Sequence, residues 1–281
     1  MNGLGQMNGE AMTDNSIDNI DLFLDTAHEM ADLSAGEILP FFRHEFSVLH
    51  KEGKGIFDPV TDADRKSEEV IRSHLAEKWP HHSIIGEEFG QDIKDDDHCW
   101  IIDPIDGTRA FVLGSPLWGT LIGLNFKGRP LIGMMNQPFT GERFWASPQG
   151  AFARWRGSDI VLKTRDCQNT SEAVITTTCP DLFATDSDRA KFDELRSQCR
   201  MTRYGGDCYN YCLLALGTVD LIVESGLASY DIAPLIPLIE QSGGIITTWS
   251  GESAANGGQI IAAGSKQLHE KALALLSKSA L

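Results

Sequence analysis

The stretch of sequence that decides the fold reads Trp100-Ile101-Ile102-Asp103-Pro104-Ile105-Asp106-Gly107-Thr108. Its apolar start predicts a buried strand that delivers Asp103 at its end, because Pro104 lacks the N–H that a central strand needs. Asp106 and Thr108 are then expected in the following turn. Two carboxylates so close together repel each other unless a cation lies between them, and a hard divalent cation is the usual solution. The alternative is a turn in which Asp or Thr caps the next helix, and the stretch alone leaves both interpretations open.

The overall composition is that of an ordinary folded protein. The 281 residues are 42% hydrophobic, which is enough for one large domain or for two subdomains that share an interface. The 40 acidic and 24 basic side chains give a formal charge of -16, which repels phosphate backbones and anionic lipid headgroups. We therefore expect neither nucleic acid nor a membrane as a partner, although bound metal ions would still allow a phosphorylated metabolite to bind.

The cysteines and the N-terminal residues indicate a cytoplasmic protein. The six cysteines form no C-x-x-C pair and no zinc-type spacing with histidine, as expected of free thiols in a reducing compartment. No basic residue precedes Arg43, so the charged start of a signal or transit peptide is missing. No apolar run approaches the roughly 18 residues of a spanning helix.

The N-terminal half predicts two helices followed by hairpins. Residues 1–16 lack periodicity and are expected to form a disordered tail, whereas apolar positions at three- and four-residue steps predict a helix over residues 17–38. Thr61 and Asp64 have the spacing of a helix cap, and a place in an active site is their alternative. Short apolar segments at residues 118–163, separated by glycine and proline turns, predict an antiparallel meander.

The C-terminal half alternates strands with helices, which predicts a layered α/β unit. Helices are expected at residues 187–199, 207–217, 231–242 and 266–278, with strands between them. The change of rhythm divides the chain into an α+β unit at residues 17–164 and an α/β unit at residues 165–281. Asp231 stands at the start of one predicted helix, where an N-cap is the simple explanation.

Three motifs in this order resemble the inositol monophosphatase superfamily. They are Gly86-Glu87-Glu88 at a second predicted strand end, the opening stretch from Trp100 to Thr108, and Tyr230-Asp231-Ile232-Ala233, followed by Ser242-Gly243-Gly244. The D-P-I-D-G-T segment with its apolar lead-in is a specific marker of that superfamily. The resemblance covers the chain from Ile17 onward. It implies a layered αβαβα sandwich, α/β (α+β) in class, with an antiparallel-sheet subdomain followed by a mixed-sheet subdomain.

The resemblance also implies a magnesium site. Two or three Mg²⁺ ions would be held by the side chains of Glu87, Asp103, Asp106 and Asp231 and by the backbone carbonyl of Ile105. Asp103 would bridge two of the ions. Paired metal ions roughly 4 Å apart activate a water molecule and clamp the ester oxygen. The implied activity is therefore Mg²⁺-dependent hydrolysis of a phosphate monoester without a covalent phosphoenzyme.

Catalytic and phosphate-binding roles follow from the same resemblance. Asp64 and Thr108, with Glu87 close by, would orient and deprotonate the attacking water. Gly107 and Thr108 would present backbone N–H groups to the phosphate at a helix N-terminus, where the helix dipole favours an anion. Asp231 belongs to the implied substrate-binding set as well as to the metal ligands.

Within the superfamily, the sequence looks closest to the histidinol-phosphate phosphatase branch. The markers are Asp106-Gly107-Thr108-Arg109-Ala110-Phe111, Ser115-Pro116-Leu117-Trp118-Gly119-Thr120 and Tyr204-Gly205-Gly206-Asp207-Cys208-Tyr209. They imply substrate-binding roles for Arg109 and Asp207, to which Glu224 adds a second acid. Histidinol phosphate carries an ammonium and a basic imidazole, so two carboxylates suit it through charge-assisted hydrogen bonds. Inositol enzymes also have a glutamate at the Glu224 position, so only Asp207 discriminates, and an N-cap is the alternative for Asp207.

Other activities compete with this expectation. The nearest are an inositol-1-monophosphatase and a broad-range sugar or nucleotide phosphatase of the same superfamily, and a non-catalytic metal-binding regulatory protein is the more distant one. Relatives are commonly homodimers, so we expect a homodimer that acts on a small phosphorylated metabolite. Lys51 or Lys54 could reach the site from the loop that contains them, and Arg109 could pair with an acid of the pocket or of a neighbouring subunit.

Overall fold

The computed structural model describes residues 19–43, 48–50 and 59–277, with the backbone alone at residues 48–50 and 59–61. The predicted tail at residues 1–16, the side chain of Thr61, and both Lys51 and Lys54 lie outside the described residues. No helix within the described ranges has the length and apolar character needed to cross a bilayer.

The secondary structure alternates as the sequence predicts. The helices are α1 (Ile20–Ile38), α2 (Asp62–Lys78), α3 (Thr108–Val112), α4 (Asp186–Ser197), α5 (Asp207–Ala215), α6 (Ser229–Ile232), α7 (Ile236–Gln241) and α8 (Lys266–Leu276), with 3₁₀ turns at Thr170–Glu172, Pro180–Leu182 and Ala233–Leu235. The strands are β1 (Val48–His50), β2 (Pro59–Thr61), β3 (Ser83–Gly86), β4 (Gly90–Asp92), β5 (His98–Asp106), β6 (Gly119–Phe126), β7 (Arg129–Gln137), β8 (Glu142–Ser147), β9 (Gly150–Trp155), β10 (Ser158–Val161), β11 (Val174–Thr177), β12 (Met201–Tyr204), β13 (Leu221–Leu227), β14 (Ile245–Thr248) and β15 (Gly258–Ala263).

Two sheets form the framework. In the described part of the chain, the larger sheet has eight strands in the order β10-β9-β8-β7-β6-β5-β3-β4, and β1 pairs with β2 in a separate two-stranded sheet. The meander from β6 to β10 is antiparallel, as predicted. Strand β5 is antiparallel to β6 and parallel to β3. The smaller sheet has the order β12-β11-β13-β15-β14 and is mixed, since β11 is parallel to β12 and β13, while β15 is antiparallel to β13 and β14.

Helices and sheets stack in five layers. On one face of the larger sheet, α1 and α2 pack through a core that includes Phe23 and Trp100. Between the sheets, α5 and α7 lie in a core that joins Met135 of the larger sheet to Ile222 of the smaller one. The outer face of the smaller sheet is covered by α4 and α8, with Phe192 in their shared core. The predicted αβαβα sandwich with an antiparallel and a mixed sheet is therefore confirmed.

Two local predictions need correction. The helix predicted over residues 231–242 is broken into α6, a 3₁₀ turn and α7. Pro234 and Pro237 lie in this segment, and a proline removes a helical N–H and clashes with the preceding turn, so no single helix can span it. Strand β12 was not predicted, because its residues are mostly exposed and the sequence therefore lacks the apolar alternation of a half-buried strand.

A pair of glycines seats the turn before α7 on the larger sheet. Gly123 and Gly133 face each other across β6 and β7. A methyl group at Gly133 would lie 1.9 Å from the carbonyl oxygen of Pro234, and one at Gly123 would lie 3.0 Å from the Cα atom of Pro234. The absence of both side chains therefore lets the Ala233–Leu235 turn lie directly on the sheet. Asp231 is in α6 immediately before this turn, so the glycine pair brings Asp231 close to the sheet that carries Asp103.

Candidate active site

Strand β5 delivers two acids at its end, although not quite as predicted. The strand runs through Pro104 to Asp106, and its pairing with β6 shifts between Asp103 and Asp106. Pro104 lies in this irregular part of the ladder, which is where a strand accommodates a residue without an N–H. Asp106 therefore ends the strand rather than lying in a turn, and Thr108 begins the short helix α3.

Three carboxylates converge at this strand end. Asp103, Asp106 and Asp231 each offer an oxygen, and the three oxygens lie within 4.8 Å of one another. Asp103 is only 1% exposed, and its Oδ1 atom has no hydrogen-bond partner among the described residues. Asp231 is the third residue of α6, and the N-cap of that helix is Ala228. The Asp231 Oδ2 atom accepts the backbone N–H of Ala228 at 2.7 Å.

The electrostatics of this cluster call for a cation. Burial raises the pKa of Asp103 well above its ordinary value, and the nearby carboxylates of Glu87, Asp106, Asp231 and Asp64 raise it further. Burial, followed by Asp207 and Asp231, likewise raises the pKa of Asp106. Buried acids of like charge are ionised together only when a positive charge lies between them. An all-oxygen set with an unpartnered oxygen on Asp103 suits a hard divalent cation, so these residues could hold a metal ion.

Glu87 lies beside this cluster, directly after β3. Its backbone N–H donates to the carbonyl oxygen of Ile102 at 3.2 Å, which fixes Glu87 next to the residue that precedes Asp103. The Glu87 side chain is half-buried. Since the Glu87 carboxylate contributes to the raised pKa of Asp103, the structure brings the two predicted metal ligands together.

A residue that the sequence did not suggest holds the Glu87 turn. Glu68 of α2 is fully buried, and its carboxylate accepts the backbone N–H of Glu88 at 2.7 Å and that of Phe89 at 3.2 Å. The Nε atom of Arg72 donates to the same carboxylate at 2.7 Å, and the Arg72 guanidinium also donates to the Gly90 carbonyl. Glu68 and Arg72 therefore brace the turn that begins at Glu87.

Asp64 and Thr108 both lie near the acid cluster. Asp64 is in the first turn of α2 and is 1% exposed, which is unlike a solvated helix cap. The Asp64 charge contributes to the raised pKa of Asp103. The Thr108 hydroxyl donates to the Ile105 carbonyl oxygen at 3.0 Å, so the predicted catalytic hydroxyl and the predicted carbonyl ligand are in direct contact.

Gly107 and Arg109 connect the acid cluster to a second group of residues. Gly107 has φ 87 at the start of α3, where other residues are strained, and an added methyl group would lie 3.3 Å from Cβ of Asp207. Helix α3 has 5 residues, so its dipole adds little and its backbone N–H groups matter more. The Arg109 guanidinium opposes the upward shift in the pKa of Asp207, which places its charge near that acid.

A small cavity joins the predicted metal ligands to the predicted substrate acids. The cavity measures about 70 Å³ and is lined by Asp106, Thr178, Leu182, Asp207, Cys208, Tyr211, Glu224, Leu227 and Asp231. Asp207 adopts a left-handed backbone with φ 43, a conformation that a residue other than glycine keeps only when its surroundings enforce it. The N-cap of α5 is Gly206, and Asp207 is the first residue of the helix. The alternative prediction that Asp207 is an N-cap is therefore wrong.

Both of the predicted substrate acids are buried enough to shift their pKa. Burial raises the pKa of Asp207 to about 6, against the lowering effects of Arg109 and the Gly206 N–H. Burial raises the pKa of Glu224 to about 8, and hydrogen bonds from Thr178 oppose that rise. The Glu224 carboxylate accepts the Thr178 N–H at 2.7 Å, the Thr178 hydroxyl at 3.0 Å and the Thr177 hydroxyl at 3.3 Å. Thr178 directly follows β11 and was not suggested by the sequence, because threonine is ordinary in and beside strands.

A second group with potential ligand atoms does not form a metal site. One atom each of His82, Asp96 and His98 lies within 4.8 Å of the others. The His82 Nδ1 atom accepts the Trp100 Nε1–H at 3.1 Å, so the neutral ring keeps its proton on Nε2. The His82 and His98 rings stack at 4.6 Å with an interplanar angle of 13°, so their in-plane lone pairs do not converge. We interpret the two rings as part of the aromatic packing beside Trp100, with the exposed Asp96 as the hydrogen-bond partner of His98.

Comparisons with known proteins agree with this arrangement. Residues 19–281 match the sequence profile of the inositol monophosphatase family. The bifunctional phosphatase IMPL2 of Arabidopsis thaliana, described as chloroplastic, is 38% identical in an alignment of length 278 that covers 95% of this chain and 78% of that protein. A histidinol-phosphatase of Chlorobaculum parvum is 33% identical over 84% of this chain and 89% of its own length. The solved structure of an inositol monophosphatase from Zymomonas mobilis is 39% identical, with a TM-score of 0.80 over 95% of this chain and 100% of that one.

Proposed function

The chain belongs to the inositol monophosphatase family of metal-dependent phosphoric monoester hydrolases, and we propose that its substrate is histidinol phosphate. The products would be histidinol and inorganic phosphate. The metal ion would be Mg²⁺, with two or three ions held by Glu87, Asp103, Asp106, Asp231 and the Ile105 carbonyl. The similarity to proteins named histidinol-phosphatase supports this substrate.

The observation that carries the proposal is the pair of acids in the cavity. Asp207 and Glu224 line the same cavity as Asp106 and Asp231, so a ligand whose phosphate lies at the metal ligands would extend towards two further acids. A cationic group beside them would favour their ionised forms against the raised pKa values that burial gives them. Such acids suit the cationic end of histidinol phosphate, because hydrogen bonds between ionised partners are roughly twice as strong as neutral ones. A neutral polyol offers no charge to balance them.

The residues of the site divide the reaction between them. When bound, divalent cations lower the pKa of the attacking water and polarise the phosphate ester. Asp64 and the Thr108 hydroxyl would orient that water, with Asp64 as the acceptor of its proton. The backbone N–H groups of Gly107 and Thr108 would hold the phosphate oxygens, while Asp207 and Glu224 hold the cationic end of the substrate.

Arg109 has a defined part in this arrangement. Its guanidinium opposes the rise in the pKa of Asp207 that burial causes, so it would favour the ionised form of that acid for a cationic ligand. Arg109 would thus act within the pocket of its own chain.

A phosphate-release assay tests the substrate. The purified protein would be supplied with Mg²⁺ and with histidinol phosphate, inositol 1-phosphate, fructose 1,6-bisphosphate and 3'-phosphoadenosine 5'-phosphate in parallel. We expect the highest kcat/KM for histidinol phosphate. A higher value for any of the other three esters would contradict the proposal.

Inositol 1-phosphate is the second candidate substrate. The similarity to the inositol monophosphatase from Zymomonas mobilis favours this substrate. Inositol enzymes of the superfamily also have a glutamate at the position of Glu224, so Glu224 is compatible with either substrate. Asp207 favours histidinol phosphate over inositol 1-phosphate, because it adds a second acid for a cationic group. A non-catalytic metal-binding protein would bind Mg²⁺ and release no phosphate from any of the four esters.

Two further expectations from the sequence complete the proposal. We propose a homodimer, which sedimentation equilibrium of the purified protein would test. We also propose a cytoplasmic location, which fractionation of the source cells would test.

A further inference from the structure

One polar group in the cavity lacks a partner. Tyr211, on the second turn of α5, is 2% exposed, and its hydroxyl makes no hydrogen bond to any of the described residues. Buried hydroxyl groups in folded proteins nearly always have a partner, and the exceptions need an explanation.

The other tyrosine of the same helix shows the usual arrangement. Tyr209 is two residues earlier, and its hydroxyl donates to the Glu142 carboxylate at 2.7 Å. The backbone of α5 therefore does not prevent a tyrosine from finding a partner. The difference is the surroundings, because Tyr211 lines the cavity together with Asp207 and Glu224.

The surroundings of the Tyr211 hydroxyl keep it protonated. Burial raises its pKa well above the ordinary value, and the charges of Glu224, Asp106 and Asp231 raise it further. A protonated phenol has one donor and two acceptor lone pairs. The oxygen can therefore accept a hydrogen bond from a ligand that also contacts the nearby carboxylates.

The chemistry of the cavity matches one end of the proposed substrate. An ammonium group has three N–H donors and no acceptor, whereas an imidazolium has two N–H donors that point away from each other. Asp207, Glu224 and Tyr211 supply three oxygen-bearing groups around one cavity of about 70 Å³. A single water needs only roughly 10–15 Å³ on the same measure, so a small charged group has room.

We propose that the Tyr211 hydroxyl is a substrate-binding group that, together with the Asp207 and Glu224 carboxylates, holds the ammonium of the substrate. This inference rests on the proposed function, since it assigns the third partner of the cationic end of histidinol phosphate. It makes Tyr211 a determinant of specificity for primary amines among phosphate monoesters.

The test compares Tyr211→Phe with Tyr209→Phe. The first variant removes the unpartnered hydroxyl and the second removes a hydrogen-bonded one on the same helix. We expect Tyr211→Phe to raise the KM for histidinol phosphate about tenfold, as the loss of one hydrogen bond to a charged group does. The KM for 3-(imidazol-4-yl)propyl phosphate, which lacks only the amine, should not change. Tyr209→Phe should leave both KM values as they are.

Melting temperatures without substrate provide an independent measurement. We expect Tyr211→Phe to melt at the wild-type temperature or above it, because no protein hydrogen bond is lost. Tyr209→Phe should melt about 2–4 °C lower. A Tyr211→Phe protein that melts lower or fails to fold would overturn the inference, since it would show that the hydroxyl has a structural partner.

Two other outcomes also decide the matter. Equal KM changes for the two esters in Tyr211→Phe, including no change in either, would overturn the role in amine binding while leaving the proposed function intact. If wild-type protein hydrolyses inositol 1-phosphate but not histidinol phosphate, the proposed function fails, and the inference fails with it. Failure of the role in amine binding is seen only in the Tyr211→Phe variant, whereas failure of the proposed function is seen in the wild-type protein.

Discussion

The backbone N–H of Cys208 donates a hydrogen bond to the Asp106 carboxylate at 2.6 Å. Asp106 ends a strand of the larger sheet, and Cys208 is in the first turn of α5, between the two sheets. Asp207 directly precedes Cys208, so one hydrogen bond sets the position of a proposed substrate acid relative to a proposed metal ligand. The parts of the site that would perform hydrolysis and recognition therefore share one rigid frame.

Asp103→Asn should abolish phosphate release. The loss should exceed the 10–100-fold typical of losing an outer-shell partner of a metal site, because Asp103 is the buried centre of the acid cluster. Near-normal kcat in a phosphate-release assay with Mg²⁺ would contradict the metal assignment.

The same substitution should stabilise the metal-free protein. Asparagine replaces a buried acid whose ionisation is opposed by burial and by the neighbouring carboxylates, so folding no longer carries the cost of that raised pKa. With EDTA present, we expect a melting temperature about 2–4 °C above that of the wild type, which corresponds to roughly 1 kcal/mol for a chain of this size. A melting temperature of Asp103→Asn below that of the wild type would show that the acids do not destabilise the metal-free protein.

Asp207→Asn should affect a cationic ester and spare a neutral one. Asparagine keeps the size of the side chain and tolerates the left-handed backbone of this position, so the charge is the main change. We expect the KM for histidinol phosphate to rise about 10–100-fold, the range of a lost charge-assisted hydrogen bond. The KM for inositol 1-phosphate should change little.

An exposed acid provides the control for Asp207. Asp186→Asn removes a charge from the first turn of α4 and should leave both KM values unchanged. Equal changes for both esters in Asp207→Asn would remove the argument for histidinol phosphate.

Glu68→Gln should weaken Mg²⁺ binding without touching a proposed ligand. Glutamine has only one acceptor oxygen, so it cannot accept both N–H groups of Glu88 and Phe89 while facing Arg72, and the turn at Glu87 loosens. We expect a 10–100-fold rise in the Mg²⁺ dissociation constant, measured by isothermal titration calorimetry without substrate. The neighbouring Glu69→Gln, on the exposed face of α2, is the matched control and should bind as the wild type does.

Hydrogen exchange in the wild-type protein tests the hydrogen bonds between Glu68 and the Glu87 turn without a substitution. The amides of Glu88 and Phe89 should be protected in EDTA, because Glu68 rather than a metal ion holds them. Protection that appears only on addition of Mg²⁺ would show that the turn forms with the metal.

Stability should fall in mild acid because of His82. Burial lowers the pKa of His82 from 6.5 to about 4, with smaller contributions from His98 and His81 in the same direction and from Asp96 against it. Between these values the unfolded state binds more protons than the folded state, so stability rises with pH. The contribution of neutral His82 is complete above pH 6.5 and is lost as the pH falls towards 4.

Two variants isolate this effect. His82→Gln keeps an acceptor for Trp100 without a titrating ring, so it should lose less stability than the wild type between about pH 7 and about pH 4.5 in urea denaturation. The adjacent His81 is exposed, and His81→Gln should follow the wild-type profile. Parallel profiles for all three proteins would exclude His82 as the cause.

Local sequence was sufficient for most of the helices and strands. The apolar period of α1 and the turn residues of the meander predict those elements, because both signals depend on neighbours along the chain. Asp103 and Glu87 each follow an apolar run, but the local pattern at Asp103 left a capping turn open beside a metal site, and the family resemblance implied both the metal site and the layered sandwich. The broken helix at α6 and α7 was also predictable in principle, since Pro234 and Pro237 are incompatible with a continuous helix.

The parts that escaped prediction depend on contacts between distant segments. Glu68 and Glu69 are adjacent in the sequence, yet one is buried in the brace of the Glu87 turn and the other is exposed. Tyr211 reads as an ordinary core residue until the cavity beside it is known. No local pattern distinguishes these cases, because burial of a polar group is decided by what packs against it.

The glycine pair beneath Pro234 bears on how related sequences are judged. A relative could keep every acid of the site and still carry alanine where this chain has Gly133, and that single methyl group would overlap the Pro234 carbonyl. The turn would have to lift from the sheet and Asp231 would move away from Asp103. A complete set of acids is therefore not a sufficient criterion for an active member of the family, and two residues with no side chain belong in the diagnostic pattern beside them.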